Sequence, residues 1–349
     1  MPLDPARTYI IATRGSALAL AQSRLVLAQC QAAFPQLRFE LRIIKTTGDK
    51  MQTMSLINPD QQSTKGLFTK ELEVALLNGE ADLAVHSLKD LPTELPEGLK
   101  LAAVSPREDV RDVLIYRDAE VLASHAGAAK VTAAPESKTA ADASTSVKRG
   151  FPRQATLSDF PSGATIATSS TRRQAQLLAI RPDLRLVPIR GNVGTRLQKL
   201  AERAEIDALV LAAAGLRRLN FPIGKDGSIQ GDGVPAGLIA VYLEIDQMIP
   251  CVGQAALGIE TRANDPAIDA ITARLNDPVT FQCVTGERAF LRTMGGGCLS
   301  PVACYGEMVE DKLRLRAISF RTETMRRGEI RGNPAEAADL GATLAAELK

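Results

Sequence analysis

Two short polar segments combine residues that could bind or polarise a charged ligand. His86-Ser87-Leu88-Lys89-Asp90 directly follows a short apolar run, and Asp90 there could stabilise a cation or act as an acid or base. Thr168-Ser169-Ser170-Thr171-Arg172-Arg173 offers hydroxyls and backbone N–H groups at the start of a predicted helix. Because cations oppose the helix dipole at that end, Arg172 and Arg173 indicate a bound anion. The competing interpretations are an ordinary Lys89–Asp90 ion pair beside a helix N-cap, and a serine-capped helix with solvated arginines.

Further arginines lie at or near predicted strand ends. Arg190-Gly191-Asn192-Val193-Gly194-Thr195-Arg196 resembles an anion-binding loop but lacks the lysine pattern of a Walker motif. Six arginines share such positions: Arg14, Arg172, Arg173, Arg190, Arg196 and Arg218. One small anion needs one or two arginines, so we expect a ligand with several carboxylates or phosphates.

One of the five cysteines stands apart from the others. A free cysteine is usually buried as a small apolar residue, which is our expectation for Cys30, Cys251, Cys283 and Cys304. Cys298 instead follows Gly295-Gly296-Gly297, which supplies no core, and a reactive or covalently modified thiol is the hypothesis there. With an odd cysteine count, no Cys-x-x-Cys pair and only two histidines, we expect neither a disulfide framework nor a metal site.

The order of predicted elements indicates where these residues meet. The first segment reads as strand 9–13, helix 17–33 with Ser16 as N-cap, strand 37–46, helix 70–77, strand 82–85 and strand 99–104. The second reads as strand 165–168, helix 171–180, strand 184–189, helix 195–202 and strand 207–211. The repeated plan predicts two similar doubly wound α/β domains with mostly parallel sheets, whose ligands bind beyond the carboxyl ends of the strands.

Two other regions have a different character. Residues 118–160 are rich in Ala, Ser and Thr and poor in bulky apolar residues, which predicts a mobile surface insertion. From about residue 277, a helix at 279–294, three strands and a final helix at 334–348 predict a small α+β domain.

Length and charge narrow the class of protein. The chain has 349 residues, of which 42 are basic and 40 acidic, so its net charge is +2. This balance provides no general attraction to nucleic acid or to an anionic membrane. No apolar run reaches the ~18–20 residues of a membrane span, and the N-terminus lacks a signal-peptide pattern, so we expect a cytoplasmic location. A single core rarely exceeds about 250–300 residues, which predicts two or three domains.

Seven segments carry a resemblance to a known family. They are IATRGSALALAQ from Ile11, KGLFTKELEVALL from Lys65, DLAVHSLKDLP from Asp82, ATSSTRRQAQL from Ala167, IRGNVGTRLQKL from Ile189, GQAALGIETR from Gly253 and ERAFLRTMGGGCLSPVA from Glu287. In these segments, which follow the family's order, the chain resembles the porphobilinogen deaminases, also called hydroxymethylbilane synthases.

The resemblance implies a fold and a reaction. It implies three domains, two of them similar to periplasmic-binding-protein lobes with the active cleft between them: 7–105 with 256–273, then 111–249, then 278–349. It implies a transferase of tetrapyrrole and haem biosynthesis that joins four porphobilinogen molecules head to tail, each losing ammonia. Hydrolysis then releases hydroxymethylbilane. It also implies a monomer whose product passes to uroporphyrinogen-III synthase.

The resemblance also assigns roles to residues. It implies a dipyrromethane cofactor held through a thioether to Cys298, and Asp90 as the catalytic carboxylate that stabilises cationic intermediates. The residues expected to bind cofactor or substrate are Arg14, Ser16, Lys65, Ser87, Lys89, Thr168, Ser169, Ser170, Arg172, Arg173, Arg190, Gly191, Asn192, Arg196, Arg218 and Gln254. The arginines suit a growing chain with two carboxylates per unit.

The sequence departs from the family pattern at three places near the expected site. Ala167 and Ala255 stand where glycine is usual, and the segment 60–64 before Lys65 lacks the further lysine and glycines that relatives commonly carry. If the backbone has positive φ at Ala167, the methyl group there costs about 1 kcal/mol or more.

Two other classes of function compete with this one. Two α/β lobes with arginines could form a non-catalytic binder of an organic polyanion, but such a binder needs no cysteine on a glycine-rich loop. Arginine clusters could bind nucleic acid, which the near-neutral charge and the 4% aromatic content argue against.

Overall fold

The computed structural model describes residues 3–47, 68–130, 147–295, 297 and 300–349. Two predicted site residues, Lys65 and Cys298, lie outside the described residues. The chain divides into two units, one formed by Met1–Val110 with Ile249–Lys349 and the other by Arg111–Met248. The first unit holds both a large sheet and the C-terminal sheet, and the division into three domains stays a prediction.

The helices and strands of the described residues alternate along most of the chain. The strands are β1 (Thr8–Arg14), β2 (Arg38–Ile44), β3 (Leu83–Ser87), β4 (Leu99–Val104), β5 (Asp112–Arg117), β6 (Thr165–Ala167), β7 (Arg185–Val187), β8 (Ala208–Ala212), β9 (Leu238–Leu243), β10 (Leu257–Arg262), β11 (Val302–Val309), β12 (Lys312–Ser319) and β13 (Arg326–Gly332). The helices are α1 (Ala17–Ala33), α2 (Lys70–Leu77), α3 (Ala119–Lys130), α4 (Thr171–Ile180), α5 (Val193–Glu202), α6 (Ala213–Arg218), α7 (Pro266–Leu275), α8 (Pro278–Thr293) and α9 (Ala337–Leu348). None of the helices within these described ranges has the length and apolar character of a membrane span.

The two large sheets share one topology. The first has the order β2–β1–β3–β10–β4 and the second the order β7–β6–β8–β5–β9. In each sheet four strands run in one direction and the fourth in the order, β10 or β5, is antiparallel to both neighbours. The prediction of two similar, mostly parallel α/β sheets is confirmed, and the reversed strand in each was not predicted.

Alternation along β5 shows how the second sheet is buried on both faces. Leu114 and Tyr116 pack into one apolar cluster, whereas Val113 and Ile115 pack into another. Since successive strand side chains point to opposite faces, the continuous apolar run satisfies both layers at once.

The C-terminal region is a three-stranded antiparallel sheet, β11–β12–β13, covered by α8 and α9. The two helices approach so closely that a Cβ added at Gly341 would lie 2.0 Å from the Gly286 carbonyl oxygen. Only glycine permits this backbone contact. The predicted small α+β architecture is confirmed for this part of the chain.

The predicted surface insertion at 118–160 is wrong at both of its ends. Residues 119–130 form helix α3, and Phe151, Leu157 and Phe160 are buried in the same cluster as Tyr116. The three aromatic rings contact one another, with centroids 4.0 to 6.0 Å apart. Composition averaged over the segment hid these few large apolar residues, and 131–146, the centre of the predicted insertion, lies outside the described residues.

Candidate active site

A pocket lies at the carboxyl ends of β1 and β3 in the first unit. Arg14, Ser16, Ser87 and Asp90, four of the predicted site residues, line it. The other lining residues are Leu18, Ala19, Gln22, Phe68, Thr69, Val85 and His86. Since β1 and β3 are parallel neighbours, the loops that follow them emerge at the same edge of the sheet.

This pocket combines a fixed cation with an exposed carboxylate. The Arg14 guanidinium carbon lies 4.1 Å from the centroid of the Phe68 ring, which holds the planar group by a cation–π contact. The Ser16 hydroxyl caps α1 by accepting a hydrogen bond from the Ala19 N–H (3.3 Å). Asp90 ends the 3-10 turn Leu88–Asp90 and is exposed. A ligand with both anionic and cationic groups can therefore pair with both charges of the pocket.

Ser87 is oriented by a residue that sequence reasoning missed. Gln22, buried on α1, donates from Nε2 to the Ser87 hydroxyl (2.8 Å), and the hydroxyl lies 3.1 Å from Gln22 Oε1. The Gln22 amide and the Ser87 hydroxyl thus hold each other at the pocket wall. Gln22 lies in the segment beginning at Ile11 that carried the resemblance, but nothing in its local pattern distinguishes it from a surface glutamine.

A group of buried titratable side chains begins at His86 in the pocket wall. His86 Nε2 lies 3.0 Å from Glu260 Oε2, and both side chains are almost fully buried. Glu73 on α2 is buried nearby. Burial is the largest cause that raises the pKa of Glu73, the neighbouring Thr69 side chain lowers it, and the charge of Glu260 raises it further. The titratable side chains of this wall therefore come from three elements, α2, β3 and β10.

Apart from Arg218, the predicted site residues of the second unit lie at two neighbouring helix starts. Ser170 caps α4 and Asn192 caps α5, each accepting a hydrogen bond from the backbone N–H of the third residue of its helix. The helices follow β6 and β7, which are paired in parallel. Ser169 links the two loops, since its hydroxyl donates to the Ile189 carbonyl (2.8 Å) and accepts from the Ile189 N–H (3.0 Å). Two adjacent helix N-termini offer N–H groups and positive dipole ends to an anion.

The loop before α5 needs glycine at one position. Gly191 has φ +112°, and a Cβ there would lie 2.8 Å from the Thr195 methyl carbon. Arg196 Nε donates to the Gly191 carbonyl (2.8 Å), while Lys199 donates to the Arg190 carbonyl (2.9 Å). The Arg190 residue is exposed, so this loop presents a cation beside a helix start.

Arg172 and Arg173 form ion pairs with a carboxylate of the protein, that of Asp112. Their Nη2 atoms each donate to one oxygen of Asp112 at 2.7 Å, and all three side chains are buried. Arg173 also donates to the Val210 carbonyl (2.9 Å). Burial alone would raise the pKa of Asp112, but the two guanidinium groups outweigh it and hold that pKa well below its usual range. The alternative of solvated arginines is therefore wrong, and the argument that their position requires an external anion no longer holds.

Three of the residues predicted to bind cofactor or substrate are buried or half-buried. Lys89 and Arg218 are half-buried, at the 3-10 turn and at the end of α6. Gln254 is 1% exposed and its amide donates to the Val110 carbonyl (2.7 Å), so it does not line the pocket. Their roles toward a ligand stay predictions.

The cysteines divide largely as predicted. Cys30, Cys283 and Cys304 are buried, and burial raises the pKa of each thiol, to about 12 for Cys30 and Cys283. Cys251 is half-buried rather than buried, so the expectation is wrong for that residue. A thiol with a raised pKa is a poor nucleophile.

Of the two alanines that stand where the family usually has glycine, Ala255 and not Ala167 has a positive φ. Ala167 lies within strand β6, and only Ala255 of the two has a positive φ, +72°. Ala255 is also buried. The backbone cost of replacing glycine therefore arises in the loop before β10, not at the end of β6.

Two family models match successive parts of the chain. "Porphobilinogen deaminase, dipyromethane cofactor binding domain" matches residues 9–270, and "Porphobilinogen deaminase, C-terminal domain" matches residues 281–349. The chain belongs to the porphobilinogen deaminase family.

Similar proteins agree over nearly the whole length of this family member. The porphobilinogen deaminase of Syntrophus aciditrophicus is 42% identical over 340 residues, which is 97% of this chain and 94% of the relative. That of Thermus thermophilus is 38% identical over 345 residues, 98% of this chain and 95% of the relative. A solved structure, the VFT2 periplasmic domain of Bordetella pertussis BvgS, matches with a TM-score of 0.38 and 16% identity over 77% of this chain and 86% of its own. A likeness at that level supports no further conclusion.

Proposed function

We propose that this chain is a hydroxymethylbilane-forming transferase that condenses four porphobilinogen molecules head to tail with loss of ammonia. The proposal rests on membership of the family together with one observation, the exposed Asp90 carboxylate in a pocket that also contains Arg14. The non-catalytic binder is not supported, since both family models and the two relatives named above carry the name of the deaminase.

The donor set suits a linear oligopyrrole. Each pyrrole unit carries two carboxylates and an N–H group, so such a ligand needs cations along its edge and an acceptor near its ring nitrogens. Arg14, Ser16 and Ser87 supply cationic and hydroxyl donors in the pocket, and Asp90 supplies the acceptor. Taken by itself, the second unit also offers groups that bind carboxylates, namely Arg190 and the capped starts of α4 and α5.

Asp90 acts on the charge that develops during the reaction. Loss of ammonia from porphobilinogen leaves a cation delocalised over the pyrrole ring, and joining two rings again produces a cationic ring nitrogen. A fixed carboxylate beside that nitrogen lowers the energy of both states and can accept the proton that is released. The dipyrromethane cofactor, when bound, supplies the free pyrrole carbon to which the first substrate is joined.

Cys298 is the proposed attachment point of the cofactor through a thioether. The burial of Cys30, Cys283 and Cys304, with raised thiol pKa values, supports this choice because it disfavours reaction at those three thiols. The Gly295-Gly296-Gly297 sequence before Cys298 supports it independently.

The cellular setting is also part of the proposal. We infer a monomeric, cytoplasmic enzyme of porphyrin and haem biosynthesis, whose product is passed to uroporphyrinogen-III synthase. These features are carried over from the family resemblance.

The test combines the mass of the denatured protein with turnover of porphobilinogen. The wild type should carry a covalent excess of two linked pyrrole units, which Cys298→Ala should lack and Cys251→Ala should keep. Asp90→Ala should abolish turnover and Asp90→Glu should retain a little. Unmodified wild-type protein that stays unmodified after incubation with porphobilinogen or hydroxymethylbilane would overturn the proposal, as would wild-type rates in both Asp90 variants.

A further inference from the structure

Helix α8 contacts the chain immediately after Asp90. The Arg288 guanidinium donates to two successive backbone carbonyls, from Nη1 to Leu91 (3.1 Å) and from Nη2 to Pro92 (2.6 Å). Arg288 is 7% exposed and Leu91 is 3% exposed. A forked, buried cation that bridges two consecutive peptide groups restrains the direction of the chain more than a single hydrogen bond does.

Helix α8 also supports the Leu88–Asp90 turn indirectly, through Gly253. Glu287 Oε2 accepts a hydrogen bond from the Gly253 N–H (2.7 Å). Gly253 in turn lies against the turn, since a Cβ added there would meet Leu88 Cγ at 2.9 Å and the Lys89 nitrogen at 3.2 Å. Consecutive residues of α8 therefore restrain the Leu88–Asp90 turn, Glu287 through Gly253 and Arg288 through the two carbonyls that directly follow the turn.

The end of α8 leads to the glycine-rich segment before Cys298. Arg288 lies five residues before Thr293, the last residue of the helix, a distance of ~7.5 Å along the axis at 1.5 Å per residue. A helix is stiff over that length, so a residue fixed to the Asp90 turn also fixes where the chain leaves α8.

We propose that Arg288 is a positioning residue that sets the Asp90 turn relative to the helix end from which the Cys298 segment departs. The inference rests on the proposed function, because it concerns the placement of the proposed catalytic carboxylate. It adds a residue that neither the predicted site nor the pocket lining contains. A displacement of about 1 Å at a reacting group is sufficient to lower a rate by up to about a hundredfold.

The chain offers a matched control one helical turn further on. Arg292 also donates to the chain that follows Asp90, but Arg292 is exposed and its hydrogen bond to the Thr93 carbonyl is long, 3.4 Å. Arg288→Lys keeps the charge but cannot make the two-pronged contact. Arg288→Met removes the charge, and Arg292→Lys repeats the conservative change at the exposed position.

Three measurements on the full-length, cofactor-loaded enzyme test the proposal. Intact mass gives the loaded fraction, steady-state kinetics gives kcat per loaded enzyme and KM, and hydrogen exchange read by mass spectrometry reports on the peptide covering 86–95. Arg288→Lys and Arg288→Met should lower kcat about tenfold or more with KM changed less than about threefold. Both should accelerate exchange in that peptide and leave peptides of the second unit unchanged, and Arg292→Lys should stay within about twofold of wild type.

Either of two results would overturn the positioning role. One is a kcat within about twofold of wild type in both Arg288 variants, and the other is unchanged exchange at 86–95. If Arg288→Met fails to fold, the milder Arg288→Lys decides. A wild type without cofactor mass or turnover would instead contradict the proposed function, and the exchange result would still decide whether Arg288 restrains the turn.

Discussion

The buried group formed by Asp112, Arg172 and Arg173 leads to a quantitative prediction. Asp112→Asn keeps the side-chain volume but leaves two buried guanidinium groups without their shared anion. Removing one partner of a buried ion pair costs ~3–5 kcal/mol, and here two cations lose their partner together, so we expect about 4–5 kcal/mol. Arg173→Met leaves Asp112 paired with Arg172 and should cost less, about 2–3 kcal/mol, including the loss of its bond to the Val210 carbonyl.

The pH dependence gives this prediction a second readout. Because the folded-state pKa of Asp112 lies below its unfolded value of ~3.9, folding favours the ionised form. The stabilisation is complete above the unfolded pKa, declines as the pH falls below it and is lost once the pH has fallen through the folded value. The loss caused by Asp112→Asn should therefore be the same at pH 7 and pH 5.

Urea unfolding followed by circular dichroism checks both points, since the chain has no tryptophan to report by fluorescence. Asp232→Asn, at an exposed aspartate of the same unit, is the control and should change stability by less than about 0.5 kcal/mol. A loss below about 1 kcal/mol for Asp112→Asn, or one that has vanished at pH 5, would refute the reasoning.

Two further predictions concern the first unit. Ala255→Gly relieves a positive φ, but it also removes a buried methyl group and raises the entropy of the unfolded chain, so stability should change by less than about 1 kcal/mol. Ala256→Gly has no positive φ to relieve and should cost about 1.5 kcal/mol in the same urea assay. Equal losses in the two variants would contradict the strain at Ala255. Glu287→Gln removes the buried carboxylate that pairs with Arg107 and accepts the Gly253 N–H, and should cost about 3 kcal/mol or more; a thermal midpoint equal to that of the wild type would contradict it.

Elements with strong local signals were predicted closely. Helix α1 has the predicted bounds and the predicted N-cap, Ser16, and α2 has the predicted bounds, with Gly79 at φ +72° two residues after its end. These boundaries depend on contacts within one or two turns of the chain, which is the range over which side-chain capping and glycine act. The pocket residues Arg14, Ser87 and Asp90 were likewise placed at strand ends from the alternation of strands and helices.

Contacts between distant segments were not predictable in the same way. Strand β10 pairs with β3 so that Leu257 faces Ser87, and β5 inserts beside β8. Which strand fills the fourth place in each sheet, and in which direction, depends on the path of the chain between the two units. A run of apolar residues indicates a buried strand but carries no information about its neighbour.

The sequence by itself determined the family, the two repeated α/β segments and the residues that end their strands, because these depend on local pattern and on motifs. Only the tertiary structure decided what the polar side chains contact. It paired Arg172 and Arg173 with Asp112, placed Gln254 in the interior, gave a positive φ to Ala255 and not to Ala167, and joined Arg288 to the carbonyls after Asp90. The physical reason is that an ion pair, a buried amide and a positive φ are each set by neighbours brought together by folding, which can be far apart in the sequence.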